Sequence, residues 1–318
     1  MMYHLMALTG AVLLDRFLGD PHSKAHPVVV MGTLISFLEK KLNKGTFLKA
    51  RGGVLLFIVC LCTLGVISAA VVVAYSIHPV VGVLTETVLI WLAIGQRSLE
   101  KAAENIAKPL REGDTNEARR QTAMIVSRDT ETMQEKDMVR SAVESVGENT
   151  SDGVTAPLFY ALIGGAPLAY LYRVINTCDA MVGYKTSKYL HFGWAAARAD
   201  DLANIVPARL TALLMVISAG AGKPLSTFES MKGTMRDAKL HDSPNSGYGE
   251  AAMAYILGVT LGGETRYHGK MVSRPHFGRG TKELAPDRIL EAVHIMKKTV
   301  AVFILFCWLI GGVVYALA

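Results

Sequence analysis

Residues 53–77 read GVLLFIVCLCTLGVISAAVVVAYSI, 25 consecutive positions without a charge. Wound as an α-helix rising about 1.5 Å per residue, the run reaches roughly 37 Å, more than the ~30 Å hydrocarbon core of a bilayer. A helix apolar all round has no face to offer water, so this one belongs in lipid. The closing run VAVFILFCWLIGGVVYALA behaves alike, and so does HPVVGVLTETVLIWLAIG at 78–95, which carries one acid, Glu86. MMYHLMALTGAVLL at the start and ANIVPARLTALLMVISAGAG at 203–222 are weaker spans. Lipid offers the backbone no hydrogen-bond partner, so the spanning segments must be helices. The expected fold is all-α, a polytopic integral membrane protein, in keeping with a mean hydropathy of +0.32.

The opening run lacks a basic start and a small-residue cleavage site, and Asp15-Arg16 follow at once. It reads as a retained helix rather than a signal peptide. The four cysteines show no CxxC spacing and the nine histidines no HExxH, so any metal would be held by oxygen.

Charge is unevenly spread. Segment 96–153 holds nine basic and twelve acidic residues, whereas 15–52 holds seven basic to three acidic and 264–298 eight to four. By the positive-inside tendency the two basic segments face the cytoplasm. The acidic one is too long and polar for a connector. It reads as cytoplasmic helices broken near Pro109 and Gly113, inserted into a single integral membrane domain of residues 1–318. PLFYALIGGAPLAYLYRVI is interrupted by Gly164, Gly165 and Pro167, as in a broken or re-entrant helix, and AAMAYILGVTLGG (251–263) is too short to span.

Within ESVGENTSDG (144–153), Glu144, Glu148 and Asp152 recur every fourth residue. On a helix this stacks three like charges on one face, and Gly153 and Pro157 suggest that the helix ends there, where its dipole also disfavours acids. A divalent cation or nearby arginines would relieve the repulsion. Oxygen-rich, cysteine-free clusters suit Mg2+, which takes one or two carboxylates plus substrate phosphates. Candidate ligands are Glu144, Glu148, Asp152, Asp179, Asp200 and Asp201, and candidate phosphate contacts are Arg128, Lys185, Lys188, Arg198 and Arg209. Charges at a membrane rim are also commonly solvated or paired for structural reasons, and His241 in HDSPN can serve as a turn-capping residue. Glu86 and Arg209, inside apolar runs, are functional candidates by cost alone, or partners for each other or for groups inside the helices. No Walker loop, GxGxxG or Ser-His-Asp arrangement occurs. The residues by themselves support a membrane-embedded site for phosphorylated or anionic ligands.

Taken in order, LDRFLGDP…HPV, GQRSLEKAA, IVSRDT, ESVGENTSDGVTAPLF, GGAPLAYLYRVINTCDAMVGYK, ARADDLANIVPARL, HDSPNSGYGEAAMA and LGG resemble the adenosylcobinamide-phosphate synthase family of cobalamin biosynthesis (CobD/CbiB), nearly end to end. Ser127, Cys178 and Ala180 depart from the usual family residues, and none of the three removes a charge. The resemblance implies an ATP-dependent ligase that joins (R)-1-amino-2-propanol O-phosphate, or ethanolamine phosphate, to a propionate of adenosylcobyric acid. Mg2+ and ATP are then expected, with Glu144, Glu148 and Asp152 at the centre, Asp179 and Asp201 behind them, and His241 as a base or phosphate contact. Asn149, Asn176 and Asn245 would orient substrate amides or phosphates. The expected partners are these substrates, the lipid bilayer of the cell membrane and other late cobalamin-assembly membrane enzymes, with no nucleic acid, and the active site faces the cytoplasm. The rival class is a transporter of an anionic or corrinoid ligand with a midplane site at Glu86, Arg209 and the broken helices. No inverted repeat supports it, and the ordered DG-AR-G-D-D pattern of a phosphatidyltransferase is absent.

Overall fold

The computed structural model describes residues 2–21, 23, 26–220, 227–267 and 269–317. Among the described residues four helical stretches are long and apolar enough to cross a membrane: Leu48–Ile77, Pro79–Arg111, Glu135–Val182 and Asp287–Val314. A fifth arises if Trp194–Ala203 and Ile205–Ala219 form one broken span. The protein is an all-α polytopic membrane protein. Of the two weaker spans, the first is the 17-residue helix Met2–Leu18 and the second the 15-residue Ile205–Ala219; Ala221 and Gly222 lie outside the described residues. Among the described residues the one sheet is an antiparallel hairpin, Leu261–Tyr267 with Lys270–Phe277.

The chain forms two compact units. The first comprises Met1–Gly95, Gly153–Asn204 and Phe306–Ala318; the second comprises Gln96–Asp152 and Ile205–Leu305. The acidic segment therefore packs with residues that follow it by more than fifty positions.

In the first unit, Leu48–Ile77 buries Leu55, Val59, Ile67, Val71 and Ala74, a stripe at helical spacing. Its opposite face leaves Phe57, Leu61, Val66 and Val72 exposed, as a lipid-facing surface requires. His78 is extended and its ring accepts the Val80 N–H at 3.2 Å, so the next helix starts at once with Pro79 in its first turn. The predicted break in the helix Ala156–Val182 is real. Gly164 leaves helical geometry at φ −148°, and Gly165 takes φ +64°, the left-handed region that glycine tolerates. The Ala166 N–H that the break exposes donates to Glu86 Oε1 at 3.1 Å.

In the second unit the short apolar stretch near 251 is buried core. It belongs to Ser246–Leu257, a helix buried from Gly247 to Leu257 that forms the heart of this unit. Glu135–Thr150 crosses it glycine to glycine: a Cβ on Gly249 would stand 2.3 Å from the Gly147 carbonyl oxygen, and one on Gly147 2.8 Å from that of Gly249. Any side chain at the crossing would push the two backbones apart.

The acid-bearing helix starts on a capping box between Gln134 and Asp137. Contrary to expectation it does not stop at Gly153. A π-helical turn, Ser151–Thr155, carries it into Ala156–Val182. Pro157 then falls in the first turn of the continuing helix, where a missing N–H is tolerated.

Candidate active site

The stacked acids fare differently from one another. Glu144 is almost fully buried, and both of its oxygens are occupied. Oε1 accepts the Gly262 N–H at 2.7 Å; Oε2 accepts Arg274 Nη1 at 2.8 Å and is bridged by Arg128 Nη2. Arg128 also donates Nη1 to Ser141 Oγ at 2.8 Å. The arginine half of the expected compensation is therefore present. Expected as a cation ligand, Glu144 anchors two guanidinium groups and the first strand of the hairpin.

Arg274 is the hub. Its Nη2 donates to both oxygens of Glu250 at 2.9 Å and to His241 Nε2 at 3.1 Å. Arg274 Nη2 faces Nε2 while the Ser243 N–H faces Nδ1 at 2.9 Å, so both ring nitrogens meet donors and a neutral ring can accept from one of them. Burial and then the Arg274 charge hold His241 below the ordinary imidazole range, against the opposing pull of Glu148. Burial, reinforced by the charge of Glu144, pushes Glu250 well above the usual carboxylate range despite Arg274. Two guanidinium charges face three carboxyls, Glu144, Glu148 and Glu250, and Glu250 is the one that tends to keep a proton. Burial opposes both arginine charges, yet the carboxylates outweigh it and raise both.

Glu148 is the half-buried member of this group. Its charge is felt by His241 and Glu250, and its carboxylate forms no hydrogen bond or ion pair with any described residue. Asn149 bonds back to the Ser145 carbonyl at 2.9 Å, and Asp152 lies half-buried in the π turn. Arg209 donates to the Ile205 carbonyl at 2.6 Å and to Asn245 Oδ1 at 3.3 Å, with its guanidinium 4.4 Å from the centre of the Tyr248 ring. Within the second unit the structure thus brings Arg128, Glu144, Glu148 and His241 into one electrostatic cluster, with Arg209 and Asn245 as a neighbouring pair.

The remaining expected residues belong to the first unit. Asn176 donates to Asp200 Oδ1 at 3.2 Å, and Asp200 is held as well by Asn204, itself bonded to the Tyr172 hydroxyl. Asp179 closes over Gly183, where a Cβ would stand 1.8 Å from its Oδ1. Asp201 pairs with the exposed Arg198 at 3.2 Å, and Lys185 is exposed on the loop that follows the broken helix. Glu86 and Arg209 find their partners separately: Glu86 takes His4 Nδ1 and the Tyr75 hydroxyl, each at 2.9 Å. Among the described residues no three His, Cys, Asp or Glu side chains are grouped to hold a metal ion. A Mg2+ that arrives on substrate phosphates needs fewer, and Glu148 suits it.

Sequence reasoning passed over Arg274 and Glu250. Glu250 carried a signal, a lone acid opening the apolar run AAMAYIL, of the kind that marks Glu86. Arg274 carried none: it sits in a basic stretch and meets Glu144 across 130 positions.

The sequence model described as CobD/Cbib protein matches residues 8–296. A protein named cobalamin biosynthesis protein CobD from Halalkalibacterium halodurans is 48% identical over 314 residues, covering 99% of this chain and 98% of its own. Another CobD protein, from Geobacter metallireducens, is 47% identical over 90% of each chain. Cobalamin biosynthesis protein CbiB of Salmonella arizonae is 39% identical over 96% of this chain and 99% of its own. No solved structure matches significantly. With motifs, family match and end-to-end relatives in agreement, the chain belongs to the CobD/CbiB family of cobalamin biosynthesis proteins.

Proposed function

We propose that the protein is the ATP-dependent synthase that joins an amino-alcohol phosphate, (R)-1-amino-2-propanol O-phosphate or ethanolamine phosphate, to a propionate of adenosylcobyric acid, giving adenosylcobinamide phosphate. The observation that carries this reading is the cluster itself: two arginines fixed by a buried Glu144, with the uncommitted Glu148 and a neutral His241 beside them.

A carboxylate resists amines until it is activated. A phosphoryl group passes from ATP to a propionate oxygen, releasing ADP; the amine then attacks the carbonyl carbon and phosphate leaves, so that the new C–N bond replaces a C–O bond. Mg2+, when bound, would neutralise charge on the transferring phosphoryl group, and Glu148 is the residue that would hold it. Arg128 and Arg274 are preorganised to face phosphate oxygens, since Glu144 fixes both before substrate arrives. His241, beside Arg274 and held below the ordinary imidazole range, is the candidate base for the proton of the attacking ammonium. The basic segments 15–52 and 264–298 favour a cytoplasmic site in the cell membrane. The transport alternative finds little support at Glu86, whose carboxylate is closed by three internal donors.

The test uses the full chain purified in detergent with ATP, Mg2+, adenosylcobyric acid and each amine, following corrin product by mass and nucleotide by chromatography. Adenosylcobinamide phosphate with ADP is expected; AMP would replace the acyl phosphate by an acyl adenylate. Glu148→Gln should lower turnover by roughly 100-fold or more while the protein stays folded. Product formation at the parent rate would remove Glu148 from the chemistry, and no product from either amine would sink the synthase reading.

A further inference from the structure

A second polar feature of the second unit is untouched by the cluster above. The helix Thr227–Asp237, the end of Ser246–Leu257 and the loop Gly278–Lys282 enclose a cavity of about 540 Å³. That is ample for a small organic anion and within the range of nucleotide-sized pockets. Four cations line it, Lys232, Arg236, Arg279 and Lys282, against the single acid Glu229. Arg236 is held in place: its Nε donates to Asp237 Oδ1 at 2.7 Å, while Asp237 Oδ2 accepts the Tyr255 hydroxyl at 2.9 Å and the Gly278 N–H at 3.0 Å. Asp237 therefore ties the glycine-rich loop GRGTK to the helix opposite. The side chains of Lys232, Arg279 and Lys282 form no ion pair with any described residue.

Three exposed cations without ion pairs lining one concave space, beside a guanidinium already held by a buried acid, offer concentrated positive charge to an anion. Tyr255 and Ala254 give the same cavity an apolar wall. The cavity also adjoins the chemistry through the chain: Phe277, next to Gly278, places its ring 5.9 Å from that of His241, and Arg274 lies on the same strand.

We propose that this cavity binds the polyphosphate of a nucleoside triphosphate, with Arg279 and Lys282 of the GRGTK loop and Lys232 as its phosphate contacts. The nucleotide's identity rests on the synthase reading; the preference for a polyphosphate anion rests on the cavity alone.

The experiment titrates the full chain in detergent with a fluorescent ATP analogue and competes it with inorganic tripolyphosphate. Competition is expected, and Arg279→Ala with Lys282→Ala should weaken both ligands by roughly 10- to 100-fold, the scale of one or two hydrogen bonds to charged groups. Both side chains are exposed, and the single Lys282→Glu provides a second variant should the double one fold poorly. Affinity unchanged in both variants overturns the assignment. So does binding of phosphatidylglycerol nanodiscs without any competition by tripolyphosphate, since the cavity would then hold a lipid headgroup. Turnover with an unchanged KM for ATP in the variants would remove the cavity and leave the synthase reading standing. Loop-dependent tripolyphosphate binding without amide product from either amine would do the reverse.

Discussion

Two buried glutamates, one in each unit, face the same problem and meet it by opposite means. Glu86, in a span, is surrounded by a histidine, a tyrosine hydroxyl and the N–H freed at a helix break. Glu144, in the polar unit, is clamped by two guanidinium groups and an N–H of the hairpin. The first arrangement brings no arginine or lysine into the span and closes the carboxylate completely. The second concentrates cations and leaves neighbouring groups, Glu148 above all, open to a ligand. Burial alone therefore says little about function; the nature of the compensating groups says much more.

The sharpest way to break this contrast is Glu144→Gln. Two buried guanidinium groups would lose their shared anion, and the expected cost is about 3–5 kcal/mol with turnover lost. A thermal melt of the detergent-purified variant close to the parent would show that the arginines are compensated elsewhere. Next comes Glu86→Ala, which strands the Ala166 N–H and the Tyr75 hydroxyl for about 1–3 kcal/mol. Turnover per folded molecule should stay at the parent level, and its loss would move Glu86 into the chemistry after all.

A smaller effect distinguishes the polar cluster by pH. His241 has a depressed pKa in the folded protein, so its contribution to stability is present above the usual 6.5. As pH falls below 6.5 toward the depressed value, the unfolded chain takes up a proton that the folded one refuses. Stability declines through that window. Glu250 acts in the opposite sense. Its raised pKa gives a contribution that is complete below 4.5 and lost as pH rises through the folded value. Melting curves of His241→Gln should be flatter than the parent between pH 7 and the acid limb, and identical slopes would refute the assignment. The smallest effect is Asp201→Asn: its partner Arg198 is exposed, and a change beyond about 0.5 kcal/mol would be unexpected for a surface pair.

Much of this was legible before the structure. Uncharged runs announced the spans, Gly164-Gly165 the break, and the acid stack the need for positive charge nearby. Three things were not. The π turn absorbs the glycine and proline that locally signal a helix end, because a wider turn re-registers the backbone without ending it. The hairpin lies in a basic stretch whose alternation is interrupted by Pro275, so its period is faint. Arg274 is matched to Glu144 and Glu250 only by tertiary packing, for which no local pattern exists.

The break at Gly165 has a meaning for how such a chain can change over time. A Cβ there would stand 1.9 Å from Glu86 Oε1, while the glutamate matters because the broken helix offers it an N–H. Neither residue can drift alone: a lineage that straightens the helix loses the purpose of its acid, and one that loses the acid leaves the break unsealed in lipid. The two positions should be inherited as a single character, present together or replaced together.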